Sequence, residues 1–150
     1  MNDDATIRAG LEDMPAPELD PVATTLDAPL AECRVAIVTT AGLTPNGEVE
    51  LWMTGDHRYQ ELAGDARDLQ LSHFSPNFDR VGIIQDLNVV YPVDRLGEMA
   101  ADGEIGSVNQ RHFSFMGAQL EYSTMIQDTG PAVAQQLLDD GVDVVLLTPV

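Results

Sequence analysis

His57, His73 and His112 are the side chains here best suited to move a proton near neutral pH. They stand too far apart for an HxH or HExxH pattern, so the spacing supports no metal site. His73, in Ser72-His73-Phe74, closes a short alternating run. It suits a general acid or a substrate contact, or a rim histidine bonded to backbone. Arg111 and His112 precede the apolar run FSFM (113–116). Arg111 can hold a substrate carboxylate in bidentate fashion, or pair with one of the chain's own acids. His112 is a second candidate for substrate binding. Asp86 and Asn88, ahead of Tyr91-Pro92, are placed to meet an ammonium group or to form a turn. Thr39, Thr40 and Gly42 follow an apolar run, where hydroxyls and free N–H groups suit a carboxylate or phosphate. The surrounding residues form neither GxGxxG nor a P-loop, so no nucleotide site is expected. There is no GxSxG for a nucleophilic hydrolase. Cys33 is the only cysteine. It excludes an internal disulfide and CxxC chemistry, leaves a two-cysteine racemase without its pair, and reads as a buried, inert thiol.

The elements that must position these residues follow from periodicity. RVAIVTT (34–40) is a β-branched apolar run that ends in Ala41-Gly42, as a buried parallel strand does. EVELWMT (48–54) reads as a short strand or extended loop, and 55–68 as irregular. LQLSHF (69–74) alternates as a strand, with a turn at Ser75-Pro76-Asn77. A short extended piece is expected over 88–91. VDRLGEMAA (93–101) places Val93, Leu96 and Met99 on one helical face, with Asp94 in the first turn and Gly103 as the stop. Residues 104–115 read as a loop with a short extended piece. Residues 124–140 read as a helix with a break or restart near Pro131, ended by Gly141. VDVVLLT (142–148) reads as a second buried strand. The order predicts an α/β fold, a Rossmann-like parallel sheet flanked by helices, incomplete at the C-terminus.

Composition narrows the function classes. The 150 residues suit one domain. Residues 1–32 carry eight acids against Arg8, interrupted by four prolines, and read as an acidic flexible arm. Residues 33–150 form the domain. Net charge is -18 and every base is Arg. Such a surface repels nucleic acid and anionic membrane, and suits solvation at high salt or a cationic partner. No apolar run is long enough to span a bilayer, and the acidic N-terminus lacks the pattern of a signal peptide. A cytoplasmic location is the expectation.

In open α/β sheets ligands gather outside the carboxyl ends of strands. Two such ends are visible, at 39–43 and at Thr148-Pro149-Val150. The second has no covering helix after it, so the expectation is a fragment or a shortened gene product, with an unpaired strand that favours oligomers. RVAIVTTAGL (34–43), DLNVVYPVDRLGEMAADGEIGSVNQRHFSFMG (86–117) and GVDVVLLTPV (141–150) resemble the glycine/betaine/sarcosine/D-proline reductase family, selenoprotein B type. The stretch from PVDRL to RHFSFMG is the specific part. The resemblance implies reductive C–N cleavage of a small amino acid or betaine-type substrate, with electrons from a dithiol carrier protein. It also implies a selenocysteine or cysteine redox centre just beyond Val150, encoded for selenocysteine by an in-frame stop codon. No other cofactor is implied. The alternative is a non-catalytic module that binds a small carboxylate.

Overall fold

The computed structural model describes residues 24–47, 50, 52–53, 55–75 and 80–150. Most of the acidic arm, most of 48–54 and the turn at 75–77 beyond Ser75 lie outside the described residues. Of the arm, residues 24–32 are described; they lie mostly exposed and end in a 3-10 turn, Leu30–Glu32.

The centre of the fold is β1 (Arg34–Thr39). Its β-branched residues alternate between two cores, because successive side chains in a strand point to opposite faces. Val35 and Ile37 join Leu62, Tyr91, Val93, Leu96 and Ile105 on one face. Ala36 and Val38 meet Phe113, Phe115, Val133 and Leu137 on the other. Two short strands, β2 (Leu43–Pro45) and β4 (Leu69–Leu71), pair antiparallel in a separate ribbon. The strand β3 (Gln60–Ala63) pairs antiparallel with β6 (Arg111–Ser114). β5 (Ser107–Val108) and β6 both run parallel to β1. β7 (Val144–Thr148) runs parallel to β1 along its whole length. Val35 pairs with both Val108 and Val144, so β5 and β6 share one edge of β1 and β7 takes the other.

Among the described residues three α-helices complete the fold: α1 (Val81–Gln85), α2 (Val93–Ala101) and α3 (Gly130–Asp139). Val93 and Leu96 of α2 pack in the first core. Val133 and Leu137 of α3 pack in the second. The sheet therefore has a helix on each face. Gly103, at φ 74°, ends α2, and Gly141, at φ 70°, ends α3; both conformations cost glycine little. The restart near Pro131 takes the form of a π-helical turn, Met125–Thr129, leading into α3. There the Gly130 N–H reaches back to Met125 O. Pro131 has no N–H to give, so the winding widens just before it.

Four expectations are corrected. The expected Rossmann-like parallel sheet is a mixed one, because β3 runs against its neighbour. Residues 60–63, read as irregular, form that strand. Only Leu62 of β3 is buried, so the β6 ladder rather than side-chain pattern sets it. The extended piece over 88–91 is instead begun by a 3-10 turn, Leu87–Val89. β7 is not buried: Val145 is 38% exposed and Leu147 67%. An apolar run looks the same in sequence whether it lies inside a sheet or at its edge. No helix among the described residues is long and apolar enough to cross a membrane.

Candidate functional site

The strands parallel to β1 are reached by crossovers on opposite faces, from β1 through α2 to β5 and β6, and from β6 through α3 to β7. Its carboxyl end is therefore a topological switch point, the place where open α/β sheets form a ligand crevice.

The residues there are tied together closely. The Thr40 N–H donates to Thr148 O at 3.2 Å, and Thr39 Oγ1 donates to the same carbonyl at 3.3 Å. Thr39 Oγ1 also accepts the Ala41 N–H at 3.2 Å, and Thr40 Oγ1 accepts the Val150 N–H at 2.8 Å. The Gly42 N–H goes to Phe115 O at 2.8 Å, and the Leu43 N–H to Ser114 Oγ at 2.8 Å. The N–H groups read as free for an anion are thus engaged in joining β1 to β6 and β7. Gly117 fits where a side chain would not. A Cβ built on it would stand 2.5 Å from Val150 O and 2.9 Å from Thr40 O.

His73 joins this edge. Its backbone packs on Gly42, which adopts φ 61° and lacks room for a Cβ against Met116 Cε at 2.9 Å and His73 N at 3.2 Å. The Ser72 N–H donates to Gly42 O at 3.0 Å. His73 is buried, Nδ1 accepts the Ser75 N–H at 3.3 Å, and Arg80 Nη2 donates to His73 O at 2.7 Å. Burial, then the Arg80 charge, holds its pKa below the ordinary histidine value. With Nδ1 accepting the Ser75 N–H, the neutral imidazole carries its hydrogen on Nε2. The structure thus brings together Thr39, Thr40, Gly42 and His73.

It does not bring Arg111, His112 or Asp86 to that edge. Arg111 sits at the amino end of β6, lining a hollow with Arg34, Glu61 and Asn109. Its carboxylate is the protein's own: Nη2 meets Asp140 Oδ1 at 2.7 Å and Nε meets Asp140 Oδ2 at 3.0 Å. The Arg111 hydrogen bond, followed by that from Asn109, holds the Asp140 carboxyl below its usual range. A group with a depressed folded pKa stabilises above its unfolded value, near pH 4. We therefore expect a double-mutant cycle on Arg111→Met and Asp140→Asn to give a coupling of about 1–2 kcal/mol at pH 7. In urea titrations the coupling should vanish as pH falls through the folded Asp140 value. A coupling near zero at pH 7 would mean the pair is solvated.

His112 is fully buried. The register between β1 and its neighbours slips by two residues between β5 and β6, at Asn109-Gln110. The Ile37 N–H that falls at this slip finds His112 Nδ1 at 3.0 Å instead of a carbonyl. Tyr91 packs edge-on against the imidazole, with ring centroids 5.5 Å apart. Asp86 is exposed, and its Oδ1 accepts the Asn88 N–H at 2.9 Å, so it caps the 3-10 turn. Asp94 sits in the first turn of α2, where Arg67 Nε reaches it at 2.8 Å.

Sequence reasoning overlooked a second cluster beside this edge. Gln119 Nε2 donates to Asp56 O at 2.7 Å and to Met116 O at 3.1 Å, strapping two loops together. Arg58 lies 4.7 Å over the Trp52 ring and pairs with Asp56 Oδ2 at 2.9 Å. The one available signal was a lone tryptophan close to His57-Arg58; nothing in the sequence singles out Gln119. Cys33 is buried at the amino end of β1, and burial is the largest cause raising its thiol pKa. Among the described residues no three His, Cys, Asp or Glu side chains gather as a metal site.

A mixed α/β domain with a switch point at the carboxyl end of β1 is the class these features define. The chain belongs to the glycine/sarcosine/betaine reductase selenoprotein B family, whose sequence model matches residues 11–150. It is 32% identical over 130 residues to the D-proline reductase subunit gamma of Acetoanaerobium sticklandii, covering 85% of this chain and 53% of that one. It is 31% identical over 125 residues to the glycine reductase complex component B subunit gamma of Carboxydothermus hydrogenoformans, covering 79% of this chain and 28% of that one. A sarcosine reductase complex component B subunit beta of Peptoclostridium acidaminophilum is 25% identical over 126 residues, again covering 79% and 28%. The chain thus spans about half the length of the first relative and 28% of the other two. No solved structure matches it.

Proposed function

We propose that this chain is part of a cytoplasmic reductase-complex subunit that cleaves a C–N bond of a small amino acid or betaine-type substrate. A dithiol carrier protein supplies the electrons. The C–N bond breaks, carbon and nitrogen each gain a hydrogen, and the dithiol becomes a disulfide. In this reading the redox selenocysteine or cysteine follows Val150, at the mouth of the switch-point crevice. A selenolate suits that position because it ionises below neutral pH, whereas a thiol needs local help to do so. The supporting observation is the knot of Thr40, Gly117 and Val150 at the carboxyl edge of a chain whose family is a reductase family.

The test reads the gene through the codon after Val150 and assays the longer polypeptide with a dithiol and a panel of glycine, sarcosine, betaine and D-proline. An in-frame UGA followed by open frame, with dithiol-dependent cleavage of one substrate, is the expected result. A true stop, or no turnover with any substrate, overturns it.

A further inference from the structure

On the face of the second core an apolar groove lies between α3 and β7. Val133, Ala134 and Leu137 of α3 line it with Val145 and Leu147 of β7 and Val38 of β1, and its volume is about 300 Å³. The register sets Ala36 beside Val145 and Val38 beside Leu147, so both β7 side chains share the face that α3 covers. Ala134, Val145 and Leu147 are nevertheless exposed, and nothing among the described residues closes the groove. Apolar surface gathered in this way gains from a segment that removes it from water.

The chain itself leads to this groove. Thr24, Thr25 and Leu26 line a neighbouring hollow with Val144 and Val145, and Val145 belongs to both hollows. The 23 residues that precede Thr24 are therefore tethered beside β7. Among them Ile7, Leu11 and Met14 are spaced four and three apart, the spacing that sets side chains on one face of a helix. Pro15 ends the pattern, and Arg8, Glu12 and Asp13 fall away from the stripe. From Met14 to Thr24 is ten residues, a reach of up to about 33 Å, against about 7 Å from Val145 to Leu147.

We propose that the acidic arm docks on its own domain, with Ile7, Leu11 and Met14 filling the groove between α3 and β7 and the charged side chains turned to water. The tether favours this occupant, because a short linker holds its segment at a roughly millimolar effective concentration. A second copy would bring a further net charge of -18 against an equally acidic surface. The outer edge of β7 stays open, as does Leu146, which pairs with Ile37 on the opposite face.

Arg8 reports the state of the arm, since trypsin cuts after Arg. Its cleavage in the 150-residue protein is timed by mass spectrometry, with the cut at Arg95, inside α2, as the monitor of global unfolding. Ala134→Glu sets a charge in the groove at an exposed helical position, and Leu11→Ser removes the middle of the stripe. Each should speed the Arg8 cut about tenfold and leave Arg95 unchanged, because cleavage follows the population of the open form. The two substitutions together should act no more than either alone, since both break one contact. Rates unchanged by either variant, or effects that multiply, overturn the proposal. Protection of Arg8 that grows with protein concentration, alongside a dimer in sedimentation velocity, overturns it in favour of a second copy. Cleavage of the parent protein at the rate of a free peptide overturns it too, and leaves the groove to another protein.

Discussion

Between pH 6.5 and pH 5 the folded protein should lose about 2 kcal/mol of stability through His112 alone. Burial, aided by the positive charge of Arg67, pushes the His112 pKa down to about 4 from an ordinary 6.5. Below pH 6.5 the unfolded chain takes up a proton on this imidazole and the folded chain does not, so stability falls as pH drops toward 4. The loss ends at about 4, where the folded form protonates as well. Protonation in the fold would also cost Ile37 its acceptor, since Nδ1 would then carry a hydrogen. Urea unfolding of the protein and of His112→Asn, which keeps an acceptor near Ile37, isolates the effect from the general relief of negative charge on acidification. The stability gap between the two should narrow by about 2 kcal/mol across this range. Parallel curves would mean that the imidazole titrates normally.

Gly117→Ala should destabilise the fold by about 1–3 kcal/mol, the usual cost of forcing atoms into a packed site. The added Cβ would meet backbone on both sides, Val150 O at 2.5 Å and Thr40 O at 2.9 Å, and backbone cannot swing aside as a long side chain can. The carboxyl end of β7 should part from β1. Gly97→Ala is the matched control. Gly97 lies inside α2 with nothing within 4 Å of the added carbon, so alanine there should stabilise by up to about 1 kcal/mol. Denaturation midpoints moving in opposite directions support the packing account. Equal, small shifts at both positions would remove it.

The sequence was most legible where one local rule decided the outcome. β1 and α2 were read almost to the residue, because a β-branched run has few other uses and because α2 carries an apolar stripe, an acidic first turn and a glycine stop. β3 was illegible, since GlnGluLeuAla has little strand preference and takes its form from β6. The site was half legible. Thr39, Thr40, Gly42 and His73 could be picked out because strand ends advertise themselves, and the fold sets them near one another. Arg111 was recognisable as a carboxylate binder, but its partner Asp140 lies 29 residues away and only folding reveals it. Gln119 meets Asp56 across 63 residues, a separation that no periodicity encodes. Family resemblance was visible because it rested on a long specific stretch, 86–117, rather than on any pair of residues.

The bare edge of β7 should set how the protein responds to salt. Val145, Leu146 and Leu147 stand exposed on a strand whose second edge is unpaired among the described residues. In dilute buffer the net charge of -18 keeps two copies apart. Raising the salt from about 0.1 M to about 1 M shortens the screening length from about 10 Å to about 3 Å, and that repulsion is lost at strand-pairing distance. Solubility should then decline with added salt, and Leu147→Glu should restore it in light scattering. Turbidity that stays flat through the same range would show that carboxylate hydration, rather than repulsion, keeps this acidic surface dispersed.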